Sequence, residues 1–388
     1  MPCSWDLFDT LIAARTNPAA GDAHPSEWIP IAENIARVAP DDIIISEYYL
    51  DQIPKAKLAV ALTGLTNKLY VTDRGKSDGT IWAELKPTKH HGDNPNTDVA
   101  SPQAHNIPAE HIQSSRLTEA EAYIAQIGLP EIALACREAR LRTWHPEFRA
   151  MQILQIDYNF PVLLVAAFAL HTVALNYNLV LMAARDCCMW VHLQKEIRDR
   201  LNGEYEIEYW PSSRFCRNKP SEKYMREFNA RLAKSALLVD GSGTGYSIAR
   251  LVAKSEYPKT PALLLTKYSP ECVPDTDRPD TSNIKGLIHI SDHIIELASV
   301  PNEGTYTDWN VTNDLGFDWD CEEIRVAHRA FEVARAVLAE YSLPERVNSE
   351  QLSQLFLRVR PAMGDTINFF IPALVAENKL RIQQGAGL

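Results

Sequence analysis

Short apolar runs that end on a polar or acidic residue alternate along this chain with longer stretches spaced for helices. Residues 3–5 lead into Asp6, residues 43–45 into Ser46, and residues 69–71 into Thr72. Each run has strand length. Residues 27–38 and 53–62 carry apolar positions at helical spacing, Gly64 is placed to end the second helix, and Gly75-Lys76 opens a third through Leu85. This alternation predicts a parallel sheet covered by helices, in which chemistry gathers at the carboxyl ends of the strands.

The pattern shifts after residue 112. Thr118-Glu119-Ala120-Glu121 is a capping box ahead of a periodic stretch to Ile127, and a second helix runs to about Arg142. This pair reads as a connector. A buried helix over 160–175 then opens a second α/β series, with strands at 179–182, 205–209, 236–239, 262–265 and 286–290. Helices are expected at 188–201 and 223–234, and a third ends at Ala253. Residues 322–341 and 349–381 are helically periodic, with Asn348-Ser349 as a cap. The expected organisation is a domain over 1–112, a helical connector over 113–150, a second domain over 151–300, and a mainly helical extension over 301–388. Both domains are expected to be doubly wound, mainly parallel α/β sheets.

Composition narrows the function classes. The length of 388 residues suits two or three domains. Hydrophobic residues at 46% and charged residues at 23% fit an ordinary globular protein. The net charge of −11 argues against a general nucleic-acid surface, because phosphate contacts dominate that affinity; a local basic patch stays open. The longest apolar run, 160–170, would rise ~16 Å as a helix against ~30 Å of hydrocarbon, so a buried core helix is expected and no membrane partner. The opening Met1-Pro2-Cys3-Ser4-Trp5-Asp6 lacks a basic segment and a long apolar one, so no signal peptide is expected. Seven scattered cysteines without a C-x-x-C pattern suggest free thiols in a reducing compartment, hence a cytoplasmic location. The oligomeric state stays open.

Four motifs occur in order over roughly 1–112: Asp6-Leu7-Phe8-Asp9-Thr10-Leu11, Ser46 at a strand end, Lys76, and Gly92-Asp93 with Asp98 five residues on. Together they resemble the haloacid dehalogenase superfamily. The resemblance implies that Asp6 attacks phosphorus and becomes an aspartyl-phosphate. It implies Mg²⁺ between Asp6, the Phe8 carbonyl and Asp93, with Asp98 orienting Lys76 or a metal-bound water. Ser46 and Lys76 would hold the phosphoryl oxygens. Family phosphatases carry a general acid two residues after the nucleophile; here Phe8 stands there, and Asp9 takes the place often held by glycine. Losing such an acid typically forfeits ~10²–10⁴ in rate, so esters with good leaving groups are expected to fare best. Only one clear helix lies between Asp6 and Ser46, so no large lid is inserted there.

In the second half, a buried strand ends at Asp240 and is followed by Gly241-Ser242-Gly243-Thr244-Gly245-Tyr246-Ser247. A glycine-rich turn before a helix aims backbone N–H groups at an anion, and Thr244 and Ser247 add hydroxyl donors. The segment resembles the phosphoribosyl-diphosphate motif of type I phosphoribosyltransferases, with Val239 where the family has the first of two acids. The resemblance makes Ala184-Arg185-Asp186 a pyrophosphate loop and puts Arg214 and Arg217 at the start of a flexible substrate loop as anion contacts. A generic helix-packing turn is the plainer alternative. His90-His91 reads as the end of a strand, and Cys187-Cys188 as the start of a packed helix. The joint expectation is a two-site enzyme. A Mg²⁺-dependent phosphohydrolase or phosphoryl-transfer site would act on a phosphorylated sugar or nucleotide, coupled to a phosphoribosyl site. Phe8 and Val239 motivate the alternative, a binding or scaffold protein that keeps both folds without the chemistry.

Overall fold

Two five-stranded sheets, each parallel throughout, organise the chain, as the strand–helix alternation predicts. The structure is a computed structural model and describes residues 2–16, 19–269, 278–289, 299, 305–313, 320–344 and 347–366. The chain divides into two compact units, Met1–Arg149 and Ala150–Leu388.

The first unit contains β1 (Ser4–Trp5), β2 (Ile12–Ala14), β3 (Trp28–Pro30), β4 (Ile43–Glu47), β5 (Lys68–Thr72), β6 (His90–Gly92) and β7 (Ala109–His111). The sheet order is β5-β4-β1-β6-β7. The two-residue β1 is its centre, buried on both faces and paired in parallel with β4 (Trp5 opposite Ile44) and β6 (Trp5 opposite His91). Leu7, Leu11, Ile44, Ala56 and Ala59 pack the adjoining core. Gly64 ends the helix Ile53–Thr63 at φ 74°, as its position predicts.

Two expectations need correction. The helix read over 27–38 is only Ala32–Ile35; Trp28–Pro30 instead pairs antiparallel with Ile12–Ala14. Pro30 accounts for this, since proline biases the residue before it toward extended backbone. The helix expected from Gly75 begins at Thr80, after a turn in which Asp78 Oδ1 accepts from Thr80 N at 2.9 Å. Lys76 is therefore a loop residue.

The capping box is present: Thr118 Oγ1 accepts from Glu121 N, and Glu121 Oε2 accepts from Thr118 N. Helices Glu119–Gln126 and Pro130–Arg142, read as a connector, are part of the first unit. Arg15 pairs with the buried Glu138 at 2.9 Å, Arg140 pairs with the buried Glu121 at 2.7 Å, and Arg137 Nη1 donates to the Ala14 carbonyl at 2.8 Å.

The second unit contains β8 (Leu179–Ala183), β9 (Glu206–Trp210), β10 (Ala236–Gly243), β11 (Ala262–Lys267) and β12 (Ile284–His289), in the order β12-β11-β10-β8-β9. An antiparallel hairpin, β13 (Thr305–Asp308) with β14 (Val311–Asn313), adds strand to the extension read as mainly helical. Strand β10 runs three residues past Asp240, because its ladder with β11 continues through Ser242 opposite Thr266 and Gly243 opposite Lys267. The apolar helix spans Arg149–Ala174, long and apolar enough to cross a membrane, and 83% of its most apolar window is buried in the fold. Helices Glu322–Leu338 and Ser349–Thr366 follow; Ile290 and residues 367–381, where strand and helix were also expected, lie outside the described residues.

Candidate active site

In the first sheet the chain leaves β1 for β4 on one side, continues to β5, and returns to β6 on the other side of β1. The carboxyl edge of β1 is thus a topological switch point, where open α/β sheets form crevices. Asp6 follows β1, Asp93 follows β6, Ser46 lies near the end of β4, and Lys76 occupies the loop after β5. Four motifs far apart in sequence therefore meet at one edge.

Ligand atoms of Asp6, Asp93 and Asp98 all lie within 4.8 Å of one another. Lys76 Nζ donates to Asp6 Oδ1 and, at 2.7 Å, to Asp98 Oδ1. Lys76 and Asp98 are almost wholly buried, Asp6 is buried, and Asp93 is half-buried. Asp98 sits on a wide π-helical turn, Pro95–Ala100. Asn94 starts the turn: its side chain accepts from Asn96 N at 2.9 Å, and its own N–H donates to Asp98 Oδ2 at 3.0 Å. Gly92 is required here, since a β-carbon on it would fall 2.5 Å from the Asp98 β-carbon. Ser46 is buried on β4, two positions beyond the partner of Trp5.

The electrostatics follow from burial and charge crowding. Burial pushes the Asp6 carboxyl well up, against the pull of Lys76, and Asp98 and Asp93 push the same way. Burial and the neighbouring Asp98 raise Asp93 to about 6. Burial would also raise Asp98, but Lys76 and His90 outweigh it and hold that carboxyl well below the usual range. Lys76 stays protonated, because Asp6 and Asp98 overcome its burial. Burial lowers His90 to about 4, so its ring is neutral. A carboxylate only accepts, so His90 Nε2 carries the proton shared with Asp98 at 3.3 Å, and Nδ1 accepts from Ser4 Oγ at 2.8 Å.

Several supporting residues escape a motif reading. Glu47 Oε2 accepts from Lys76 N at 2.9 Å and Ser77 N at 2.8 Å, which fixes the loop that delivers Lys76. Its only sequence signal is adjacency to Ser46. Thr10 Oγ1 donates to Asp93 Oδ1 at 3.5 Å, and Asn34 Nδ2 donates to the Thr10 carbonyl at 2.6 Å. The Phe8 ring packs against Tyr48 and Trp28, with centroids 4.9 and 5.8 Å away. Asp9 adopts φ 59°, a left-handed backbone region that glycine enters more readily than aspartate. Asp9 Oδ2 accepts from Ala20 N at 3.1 Å, Oδ1 is buried without a partner, and burial raises the carboxyl to about 7.

In the second unit the switch point lies between β8 and β10. Gly241 approaches the loop after β8 so closely that a β-carbon would fall 2.5 Å from Asp186 Cβ. Ala184 is buried, and Arg185 sits at φ 75° with its N–H donating to Tyr209 Oη at 2.7 Å. Because Gly241, Ser242 and Gly243 belong to β10, the turn before helix Tyr246–Ala253 shrinks to Thr244 and Gly245, the latter at φ 83°. Thr244 Oγ1 accepts from Tyr246 N at 3.3 Å.

The segment expected to begin a flexible loop is instead a helix, Arg214–Asn218, capped by Ser213, whose Oγ donates to the Tyr306 carbonyl of β13 at 2.5 Å. Arg214 is exposed, but Arg217 points inward. Arg217 Nη1 donates to Asp240 Oδ2 at 2.6 Å and Ser247 Oγ at 3.3 Å, and Nε donates to Ser212 Oγ at 2.7 Å. The structure thus joins Arg217, Asp240 and Ser247, and separates Arg214 from them. No family model and no curated protein matches this chain.

Proposed function

We propose that the first unit is a Mg²⁺-dependent phosphohydrolase or phosphoryl-transfer site of the aspartyl-phosphate type, acting on a phosphorylated sugar or nucleotide. The observation that carries this reading is the meeting of Asp6, Asp93 and Asp98 around Lys76 at the sheet's switch point. Three carboxylates facing one ammonium leave an excess of buried negative charge, and such hard oxygen donors suit Mg²⁺. Asp6, Asp93 and the Phe8 carbonyl would hold the ion, with Asp98 behind them. When bound, Mg²⁺ neutralises phosphoryl oxygens and aligns the ester with the nucleophile.

Asp6 supplies the nucleophilic oxygen. Its bond to phosphorus forms as the ester P–O bond breaks, and the leaving oxygen departs with the electron pair. Water then cleaves the acyl phosphate and restores the carboxylate. Lys76 fixes the orientation of Asp6 and balances charge as it develops. Asp98 and Glu47 keep Lys76 in place, one through its ammonium and the other through its backbone. Ser46 offers a hydroxyl donor to a phosphoryl oxygen. Phe8 has no proton to give, so esters of acidic alcohols are preferred.

The same proposal gives the second unit a phosphorylated ribose at Thr244-Gly245-Tyr246-Ser247, coupled to the phosphoryl chemistry. The closeness of Gly241 to Asp186 at that switch point supports it. The test of the first unit is hydrolysis of p-nitrophenyl phosphate in Mg²⁺. The parent is expected to turn it over, EDTA to stop it, and Asp6→Asn to lower kcat roughly 10³-fold or more. Activity that survives in Asp6→Asn overturns the reading.

A further inference from the structure

The register of the first sheet sets Ser4 of β1 opposite His90 of β6, and both residues are wholly buried. Their side chains meet. Ser4 Oγ lies 2.8 Å from His90 Nδ1 and 3.4 Å from the Lys89 carbonyl. A serine hydroxyl has one proton, and the shorter contact takes it. In a neutral ring Nδ1 then accepts, so the ring proton sits on Nε2, which donates to Asp98 Oδ1 at 3.3 Å. The strand pairing therefore selects the one tautomer that can serve Asp98.

Asp98 is held by three donors. Lys76 Nζ and His90 Nε2 share Oδ1, at 2.7 and 3.3 Å, and Asn94 N takes Oδ2 at 3.0 Å. A carboxylate held by a flexible ammonium and one backbone N–H can still tilt about its Cβ–Cγ bond; a rigid ring on the first oxygen opposes that. The His90 ring also reaches Lys76 by a second route. It packs on Trp82 with centroids 4.7 Å apart, and Trp82 Nε1 donates to the Lys76 carbonyl at 3.2 Å. One imidazole thus braces the carboxylate that holds the ammonium and the indole that holds the backbone. Among the described residues His90 makes no hydrogen bond to Asp6, so its influence on that carboxylate passes through Asp98 and Lys76.

We infer that His90 is a positioning residue: it fixes Asp98 so that Lys76 stays set against Asp6, and Ser4 keeps it in the tautomer this requires. The inference rests on the phosphoryl-transfer reading above. Neither Ser4 nor His90 belongs to the four motifs, and neither touches the nucleophile. Supporting hydrogen bonds of this kind decide whether a reacting group is held closely enough to act.

The test is p-nitrophenyl phosphate turnover in Mg²⁺ by the full-length protein, with kcat and KM taken separately. Glutamine can place an N–H where Nε2 stands, whereas asparagine reaches only as far as Nδ1. His90→Asn is expected to lower kcat about 10–100-fold while KM stays within about twofold. His90→Gln should bring kcat back to within about threefold of the parent. A purely structural role predicts no such rescue, because both amides remove the same ring from the Trp82 contact. Nitrogen NMR of the ¹⁵N-histidine-labelled parent gives a readout that needs no variant to turn over. The His90 signals, assigned by their loss in His90→Gln, should show the proton on Nε2. A proton on Nδ1, a His90→Gln variant as slow as His90→Asn, or a change confined to KM overturns the inference. If the parent turns over and Asp6→Asn does not, such a result removes His90 alone. Absent turnover in the parent removes the phosphoryl-transfer reading, and this inference with it.

Discussion

Asp9 stands in a left-handed backbone conformation at φ 59° and keeps one buried carboxylate oxygen without a partner. Burial raises its carboxyl from 3.8 to about 7. An acid whose folded value lies above its unfolded one favours the fold at low pH and opposes it as pH climbs through the folded value. Stability should therefore fall between about pH 4 and pH 7 on this account. Asparagine tolerates the same backbone and still offers an oxygen to Ala20 N. Asp9→Asn should flatten the slope and, at pH 8 without added metal, exceed the parent by on the order of 2–4 kcal/mol. Urea denaturation of both proteins at pH 5 and pH 8 measures this, and a flat profile in the parent contradicts it. Position 8 teaches a related lesson. The sequence shows only that an acid is missing there; the structure shows an aromatic packing position that the unit's core occupies.

At the scale of elements, the buried Arg217–Asp240 pair ties the helix Arg214–Asn218 to β10. Removing one partner of such a pair strands a buried charge and typically costs ~3–5 kcal/mol, while replacing both with apolar groups is far milder. Arg217→Met should destabilise the second unit by about that much, and adding Asp240→Leu should recover a large part of the loss. A double-mutant cycle in urea measures both steps, and additive losses would rule out a coupled pair. Legibility divides along the same lines. Ser46 was readable because it ends an apolar run of strand length, whereas Lys76 and Asp93 were readable only from the order of the four motifs, since β6 is the three residues His-His-Gly. The pairing of β2 with β3 was not, and neither was β7, whose Ala-Glu-His carries no alternation over three residues. The three glycines after Asp240 suggested a loop, yet ladder bonds to β11 outweigh the local freedom of Gly241 and Gly243 and keep the strand going, leaving only Gly245 in the turn. The pinning of the 115–116 backbone by Arg137 and Arg140 left no motif at all, because it depends on arginines more than twenty residues downstream.

For the whole molecule, the first unit's boundary is set by ion pairs that reach across its length. Arg15 to Glu138 joins the start of the unit to the helices read as a connector, and Arg140 to Glu121 joins those two helices to each other. A fragment ending at residue 149 should therefore unfold cooperatively. One ending at residue 112 should not, because it loses the partners of Ala14 and Arg15. Circular dichroism against urea distinguishes the two, and a cooperative transition in the shorter fragment refutes the assignment. The central place of β1 also bears on how this unit is made. β1 is made before the two strands it pairs with, at residues 43–44 and then 90–91, so it waits in the middle of a half-built sheet. At ~5–20 residues per second, the last arginine that closes the unit, Arg149, which pairs with Glu33, emerges about 7–30 s after Ser4. Trp5, Leu7 and Leu11 wait for less of that interval, because the apolar residues that pack with them all precede residue 72, so their core can gather before the rest of the unit closes.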